Sequence, residues 1–162
     1  MVVSNTTPLV YLAALGDFGL LPDLFGKVIV PRAVFQEIVV GGAKLPVAVA
    51  VHLAVESWLF VMDVSNIAEA DGLRQGGLHA GESEAIALAT ELAPDALLMD
   101  DAAGVRAAVA GGANVIRTPG IYRVAKERHL ISSVRPKLDE LRRVGFWLRD
   151  EHYQMILQSL GE

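Results

Sequence analysis

Residues 2–9 read Val-Val-Ser-Asn-Thr-Thr-Pro-Leu and contain the first unit of the fold. An apolar run that stops at polar residues predicts a buried strand over Val2–Asn5. Thr7 then suits the cap of a helix, Pro8 its first position and Gly16 its end. A strand followed directly by a helix is the repeating unit of a parallel sheet, because the helix carries the chain back to the starting edge.

The same alternation of strand and helix continues along the chain. It predicts an α/β fold with three α/β/α layers around a central, mostly parallel sheet of about five strands. The length of 162 residues suits a single domain over residues 1–162. The further strands are predicted at 28–30, 59–61, 96–99 and 115–116, and the further helices at 31–40, 46–58, 67–75, 81–92 and 102–110. A helical tail follows at about 119–160, in pieces around 119–128, 135–144 and 150–160.

Composition narrows the classes of function. The chain has no cysteine, which excludes disulfides, thiolate metal sites and cysteine nucleophiles and fits a reducing cytoplasm. No apolar stretch approaches the roughly 20 residues that a membrane helix needs, so we expect a cytoplasmic protein without a membrane partner. The net charge is −5, but residues 1–116 carry −8 and residues 117–149 carry +6. This asymmetry is typical both of a metal site beside a phosphate-binding flank and of a solvated, Arg-rich helical surface.

Polar residues follow the predicted strands where ligand sites of parallel sheets lie, beyond the carboxyl ends. Ser4-Asn5-Thr6 follows the first strand, Asp100-Asp101 the fourth and Arg117-Thr118 the fifth. Two adjacent carboxylates at the end of a buried strand repel each other unless a cation or a donor lies between them. The alternative is that one of the two caps the helix that begins at Ala102.

Two helices place further carboxylates near the same edge. Glu82 continues the core-facing stripe of its helix by one turn, whereas Glu84 lies closer to the flank. Glu37 shares a helix face with Ala33 and Val34 and therefore points inward. The simpler interpretations are a favourable helix N-terminal position for Glu82 and a boundary side chain for Glu37.

Together these positions predict a shared cleft around which Glu37, Glu82 and Asp101 approach one another, with Asn5 at its base. Hard oxygen ligands without a histidine or cysteine cluster suit Mg²⁺ or Mn²⁺ rather than zinc. Such a site can activate a water and neutralise charge on a phosphodiester. His79 is expected to be a surface or capping residue, with contact to substrate as the alternative.

Several short motifs resemble the PIN-domain superfamily, the metal-dependent ribonucleases that include the VapC-like toxins of toxin–antitoxin pairs. The similarity is greatest to a bacterial and archaeal branch with a Ser-Asn-Thr-Thr-Pro start. The motifs occur in the same order as in that family, which makes the resemblance more specific than any one motif would be. The matching stretches are Ser4–Leu9, Val30-Pro31 with Glu37-Ile38, Gly81-Glu82 through Ala89, Leu97–Asp101, Thr118–Ile121 and Pro136–Phe146.

The resemblance implies roles for residues at the matching positions. The catalytic carboxylates are implied to be Glu37, Glu82 and Asp101. The implied metal ligands are Asn5, Glu37, Glu82, Asp100 and Asp101, and the implied substrate contacts are Ser4, Thr6, Arg117 and Thr118. Asn5 is a departure, because most PIN nucleases have aspartate there. An amide oxygen can ligate Mg²⁺ or hold a water but supplies no negative charge.

Two functions remain open from the sequence. The first is a metal-dependent RNA endonuclease, with RNA as substrate and, in the toxin version, a small antitoxin protein as partner. The second is a non-catalytic PIN-like module that binds RNA or a protein. A receiver-like domain is disfavoured because the acidic pair follows the fourth strand, and a dehalogenase-type phosphatase because Asn5 cannot be its nucleophile. The apolar stripe of the last helix, Tyr153, Ile156, Leu157 and Leu160, is predicted to pack on its own domain, with a homodimer seam as the alternative.

Overall fold

Five parallel strands form one sheet in the part of the chain that the structure describes. The computed structural model describes residues 1–41 and 46–162. All pairings between neighbouring strands are parallel, which confirms the predicted sheet. The strands are β1 Val2–Ser4, β2 Val28–Pro31, β3 Leu59–Met62, β4 Ala96–Leu98 and β5 Val115–Ile116, in the order β3-β2-β1-β4-β5.

Helices fill the connections between the strands. Within the described ranges, each helix is too short or too polar to span a membrane. The helices are α1 Thr6–Ala14, α2 Leu20–Phe25, α3 Arg32–Val39, α4 Pro46–Ala54, α5 Ile67–Gln75, α6 Ala80–Leu92, α7 Ala102–Ala110, α8 Thr118–Glu127, α9 Arg135–Arg143 and α10 Asp150–Ser159.

The sheet separates two hydrophobic cores. Successive side chains of a strand point to opposite faces, so Val2 and Leu98 belong to one core and Val3 and Leu97 to the other. Helices α1 to α4 and α8 to α10 cover the first core, and helices α5 to α7 cover the second. The three-layer α/β/α architecture predicted from the sequence is therefore confirmed.

The strand order places a switch point between β1 and β4. The chain builds β2 and β3 on one side of β1 and later returns to add β4 and β5 on the other side. Ser4 and Leu98 are paired at this junction. Ligands of open parallel sheets bind beyond the carboxyl ends of the two strands at such a point, where Asn5 and Asp100 follow.

The last helix packs on the chain's own core. Tyr153 and Leu157 are buried, and Ile156 and Leu160 pack against the same cluster. The apolar stripe is therefore covered within the chain, which is the packing predicted from its spacing.

Several local features differ from the sequence-based expectations, among them Pro31, which ends β2 and does not belong to α3. Asn5 rather than Thr7 occupies the N-cap of α1, so the helix begins earlier than expected. Helix α4 ends before Glu56, whose φ of 67° breaks the helix short of the expected end at Trp58. Helix α2 was not expected, because its six residues include Pro22 and are too few to show a helical period.

Candidate active site

A cleft of about 550 Å³ opens at the carboxyl end of β1. The backbone N–H of Asn5 donates to the carbonyl of Leu98 at 3.1 Å, so the sheet pairing extends to the floor of the cleft. The first turn of α1, helix α3 and the first turn of α6 supply the walls. The lining residues are Asn5, Thr6, Thr7, Glu37, His79, Ala80 and Glu82.

The side chain of Asn5 is buried in this floor with an unsatisfied acceptor. Asn5 is 3% exposed, and its Oδ1 has no hydrogen-bond partner among the described residues. An N-cap asparagine normally accepts from the backbone N–H of N2 or N3, but N3 of α1 is Pro8, which has no N–H. The proline therefore removes one usual donor, and the amide oxygen is left without a partner among the described residues.

The Glu37 carboxylate connects three elements of the cleft. Its Oε1 accepts from the backbone N–H of Gly81 at 3.0 Å, and its Oε2 accepts from the Thr6 hydroxyl. A Cβ at position 81 would lie 2.7 Å from Oε1 and 2.8 Å from Oε2, so the carboxylate occupies the space that only glycine leaves open. Helix α3 thus holds its carboxylate against the N-terminal turns of α1 and α6, where helix dipoles favour negative charge.

Glu82 lines the same cleft from the first turn of α6. Its Oε2 accepts from the backbone N–H of His79 at 3.1 Å, a bond that keeps the carboxylate at the helix N-terminus. His79 is the N-cap of α6 and is exposed at the cleft, which agrees with the capping role expected for it. Glu82 therefore lies both at the N-terminus of α6 and in the cleft.

Glu84 has a different environment from Glu82. Its Oε2 accepts from the Ala33 backbone N–H at 2.9 Å, and its Oε1 pairs with Arg74 at 2.8 Å. These bonds join α6 to the start of α3 and to α5. Glu84 therefore stabilises the helix packing, and Glu82 is the residue of the pair that lines the cleft.

The two aspartates after β4 have separate partners. Asp100 is buried, and its two carboxylate oxygens accept from the Thr118 backbone N–H at 2.8 Å and the Thr118 hydroxyl at 2.6 Å. Burial raises the pKa of the Asp100 carboxyl, while the Thr118 bonds and the nearby Arg117 charge act in the opposite direction. Asp100 thus joins the end of β4 to the start of α8.

Asp101 is exposed and caps α7, as one aspartate of the pair was expected to do. Its Oδ1 accepts from the backbone N–H groups of Ala103 and Gly104 at 2.8 and 3.0 Å. Both bonds end on the same oxygen. Asp101 follows the strand next to β1, but it is not among the residues that line the cleft.

The structure therefore brings together some of the sequence-predicted site residues. Asn5, Thr6, Glu37 and Glu82 line one cleft, whereas Ser4 and Thr118 are fully buried beside it and Arg117 is exposed at the end of β5. Within residues 1–41 and 46–162, no three acidic or histidine side chains come close enough together to hold a metal ion. An ion in this cleft would depend on the amide oxygen of Asn5 in addition to carboxylates.

Sequence reasoning assigned no role in the cleft to Gly81 and treated Thr7 only as a helix cap. Gly81 donates to Glu37, a residue 44 positions earlier, and this contact has no local signature. The only sequence signal was a glycine directly before the core-aligned glutamate, at a helix start where alanine would ordinarily be favoured.

The cleft therefore lies at the switch point of a parallel α/β sheet and is lined by carboxylate and amide oxygens. Sites of this kind suit cations and phosphate esters. A family model described as a PIN domain matches residues 1–162. The chain therefore belongs to the PIN-domain family. PIN domains are generally nuclease modules and usually use divalent metal ions. No curated protein and no solved structure matches the chain.

Proposed function

We propose that this PIN domain is a divalent-metal-dependent RNA endonuclease that hydrolyses phosphodiester bonds at the cleft beside β1. The observation that carries the proposal is the buried, unsatisfied Oδ1 of Asn5 in a cleft that the Glu37 and Glu82 carboxylates also line. A buried acceptor without a donor is costly. A cation would satisfy this oxygen and reduce the repulsion between the two carboxylates at the same time.

The donor atoms favour Mg²⁺ or Mn²⁺, because both prefer hard oxygen ligands. Asn5, Glu37 and Glu82, which line the cleft, would hold the ion, and Asp101 is a proposed further ligand only if it leaves its capping position on α7. When bound, the ion would neutralise charge on the phosphodiester and lower the pKa of a bound water.

The chain's own residues have distinct proposed tasks. Thr6 and Gly81 fix the Glu37 carboxylate by one hydrogen bond to each oxygen. Glu82 has one oxygen bonded to His79, and its other oxygen is the proposed acceptor of the proton from the attacking water. The Arg117 guanidinium donates to the carbonyl of Asp100, and because the residue is exposed, its remaining N–H groups would contact a substrate phosphate.

Cleavage of single-stranded and structured RNA tests this proposal. We expect cleavage in Mg²⁺ or Mn²⁺ that chelator abolishes, and a loss of about 100-fold or more in Glu82→Gln if that carboxylate transfers the proton. Glu127→Gln is the matched control, since Glu127 pairs with Arg123 at 3.6 Å on an exposed face of α8. Cleavage that persists in chelator, or that Glu82→Gln leaves unchanged, would refute the proposal.

Asp101→Asn separates the helix-capping role of this residue from a role in metal binding. Asparagine caps helices about as well as aspartate, so the free energy of unfolding without metal should change little. If Asp101 is a ligand, the substitution lowers Mn²⁺ affinity and cleavage. Unchanged affinity and cleavage would restrict Asp101 to capping α7.

A second candidate is a PIN-like module that binds RNA without cleaving it. The absence of a three-acid cluster among the described residues, together with an amide at position 5, favours this alternative. It predicts RNA binding without cleavage in any divalent ion. It also predicts that Asn5→Asp, which adds the missing charge, does not increase metal affinity.

The toxin version of the proposal makes a separate prediction about a partner. Induction of the chain alone should arrest growth, Glu82→Gln should relieve the arrest, and a small antitoxin protein from the same operon should do so by binding. Growth that continues after induction of soluble wild-type protein would exclude this version and leave the nuclease proposal standing.

A further inference from the structure

Trp147 lies almost completely in solvent on a segment that is otherwise anchored. Its exposed fraction is 81%, whereas its neighbours Phe146 and Leu148 pack against the core. Because both neighbours of Trp147 pack against the core, its indole points away from the core. A tryptophan held outward between two anchoring residues offers a large ring, free of protein contacts on most of its surface, to a ligand.

The backbone around Trp147 is held in place on both sides. Gly145 has a φ of 95°, which turns the chain at the end of α9. Arg142 donates to the carbonyl of Leu148 at 2.8 Å. The rings of Phe146 and Tyr11 meet edge to face, with centroids 5.0 Å apart. The indole is therefore presented by a fixed segment and loses little freedom on binding.

The segment packs on the helix whose first turn lines the cleft. Tyr11, which contacts Phe146, belongs to α1, and Thr6 and Thr7 of the same helix line the cleft. Arg143 and Arg149 are exposed on either side of Trp147. They belong to residues 117–149, which contain 9 basic and 3 acidic side chains. A polyanion that passes along this segment would therefore meet positive charge and an aromatic ring.

From this arrangement we infer that Trp147, with Arg143 and Arg149, is a stacking site for an unpaired base of single-stranded RNA that extends from the cleft. Aromatic rings stack on any base, and flanking arginines bind the phosphates. The inference deepens the proposed function and rests on its RNA substrate. Unstacked bases are available in single strands and loops and not in a continuous duplex, so the site would select single-stranded RNA.

Tryptophan fluorescence can follow this contact directly. The chain has two tryptophans, Trp58 and Trp147, and Trp58 is half-buried against Phe18 with ring centroids 5.3 Å apart. We expect oligouridine to quench the fluorescence of the full chain, and Trp147→Phe to remove most of this quenching. Quenching that persists in Trp147→Phe would place the RNA elsewhere and overturn the inference.

Affinity and cleavage provide the second readout. Anisotropy of labelled RNA, measured with the Glu82→Gln chain, should show a loss of about 5- to 100-fold in Trp147→Ala, and Trp147→Phe should restore most of it. In cleavage, Trp147→Ala should raise KM for a long single strand more than it lowers kcat. Val109→Ala, which alters another exposed side chain, is the matched control and should bind as wild type.

The outcomes separate this inference from the proposed function. Loss of affinity in Trp147→Ala without cleavage by wild type would support the stacking site and refute the nuclease. Cleavage by wild type with unchanged affinity and KM in Trp147→Ala would overturn the stacking site alone. A Trp147→Ala chain that changes its mass in solution and not its RNA affinity would assign the indole to contact between two copies, and would also overturn the inference.

Discussion

Replacing Gly81 by alanine places a methyl group where the Glu37 carboxylate lies. The added Cβ would be 2.7 Å from Oε1 and 3.0 Å from Cδ of Glu37, distances at which the carboxylate must move. Movement breaks the bonds from the Gly81 N–H and the Thr6 hydroxyl. Hydrogen bonds to charged groups contribute about 1.5–3 kcal/mol each. Because Glu37 is exposed, bonds to water would replace part of the two lost bonds, and we expect a combined loss of about 2–3 kcal/mol.

The helical preference of alanine acts in the opposite direction. Alanine is favoured over glycine in a helix by up to about 1 kcal/mol, so Gly81→Ala should lower the free energy of unfolding by about 1–2 kcal/mol. In a Glu37→Ala background the obstruction is absent, and the same substitution should then stabilise the chain by about 0.5–1 kcal/mol. A change from destabilisation in wild type to stabilisation in the Glu37→Ala background would identify contact with the Glu37 carboxylate as the cause.

Urea unfolding of the four chains of this double-mutant cycle, in chelator at 25 °C, measures the coupling between positions 37 and 81. We expect about 2–3 kcal/mol. Gly72→Ala is the control, because Gly72 lies in α5 with no atom within 4 Å of an added Cβ. It should stabilise both backgrounds equally. A coupling below about 0.5 kcal/mol would refute the account of how Glu37 is held in the cleft.

Three further predictions concern metal binding, a buried carboxylate and acid stability. Asn5→Asp should lower the melting temperature in chelator and should increase the rise in melting temperature that Mn²⁺ causes. An ion present at a hundred times its Kd stabilises the wild-type chain by about 2.7 kcal/mol. A smaller rise in the variant than in wild type would place position 5 outside the metal site. Thr118→Val should destabilise by about 1–3 kcal/mol through loss of the hydroxyl bond to buried Asp100, and Thr118→Ser should cost less; equal costs would exclude that bond as the cause. Desolvation acts to raise the pKa of the Glu162 carboxyl, but hydrogen bonds from Lys126 and neighbouring groups lower this pKa from 4.5 to about 2. Because the pKa of Glu162 is lower in the folded chain than in the unfolded one, its stabilisation is present above pH 4.5 and is lost as the pH falls towards 2. Glu162→Gln should therefore destabilise the chain at pH 7, and the difference from wild type should shrink between pH 4.5 and 2. A difference in the free energy of unfolding that does not depend on pH would contradict this.

Much of the fold followed from local patterns in the sequence. Apolar runs that end in polar residues identified the strands, and helical spacing placed Glu82 on an inward face and Glu84 on the flank. The rule that sites lie at the carboxyl ends of parallel strands then indicated the edge of the sheet at which the cleft opens. The capping role of Asp101 was also predictable, because it precedes a helix directly.

Other features depend on contacts that no local pattern records. The strand order β3-β2-β1-β4-β5 is not implied by alternation alone, since several orders share the same sequence of elements. The bond from Gly81 to Glu37 joins distant parts of the chain. The unsatisfied Asn5 oxygen was missed because Thr7 was taken as the cap of α1, although Pro8 already indicated that a capping donor was absent.

Crystals of the chain grown with Mn²⁺ would show directly whether Asn5 Oδ1 and the two cleft carboxylates hold a divalent ion. The measurement is the anomalous difference map, in which manganese identifies its own position. We expect a peak within coordination distance, about 2.0–2.3 Å, of Asn5 Oδ1 and of oxygens from Glu37 and Glu82. A map without a peak in the cleft at saturating Mn²⁺, or with manganese bound elsewhere and Asn5 Oδ1 still unsatisfied, would contradict it.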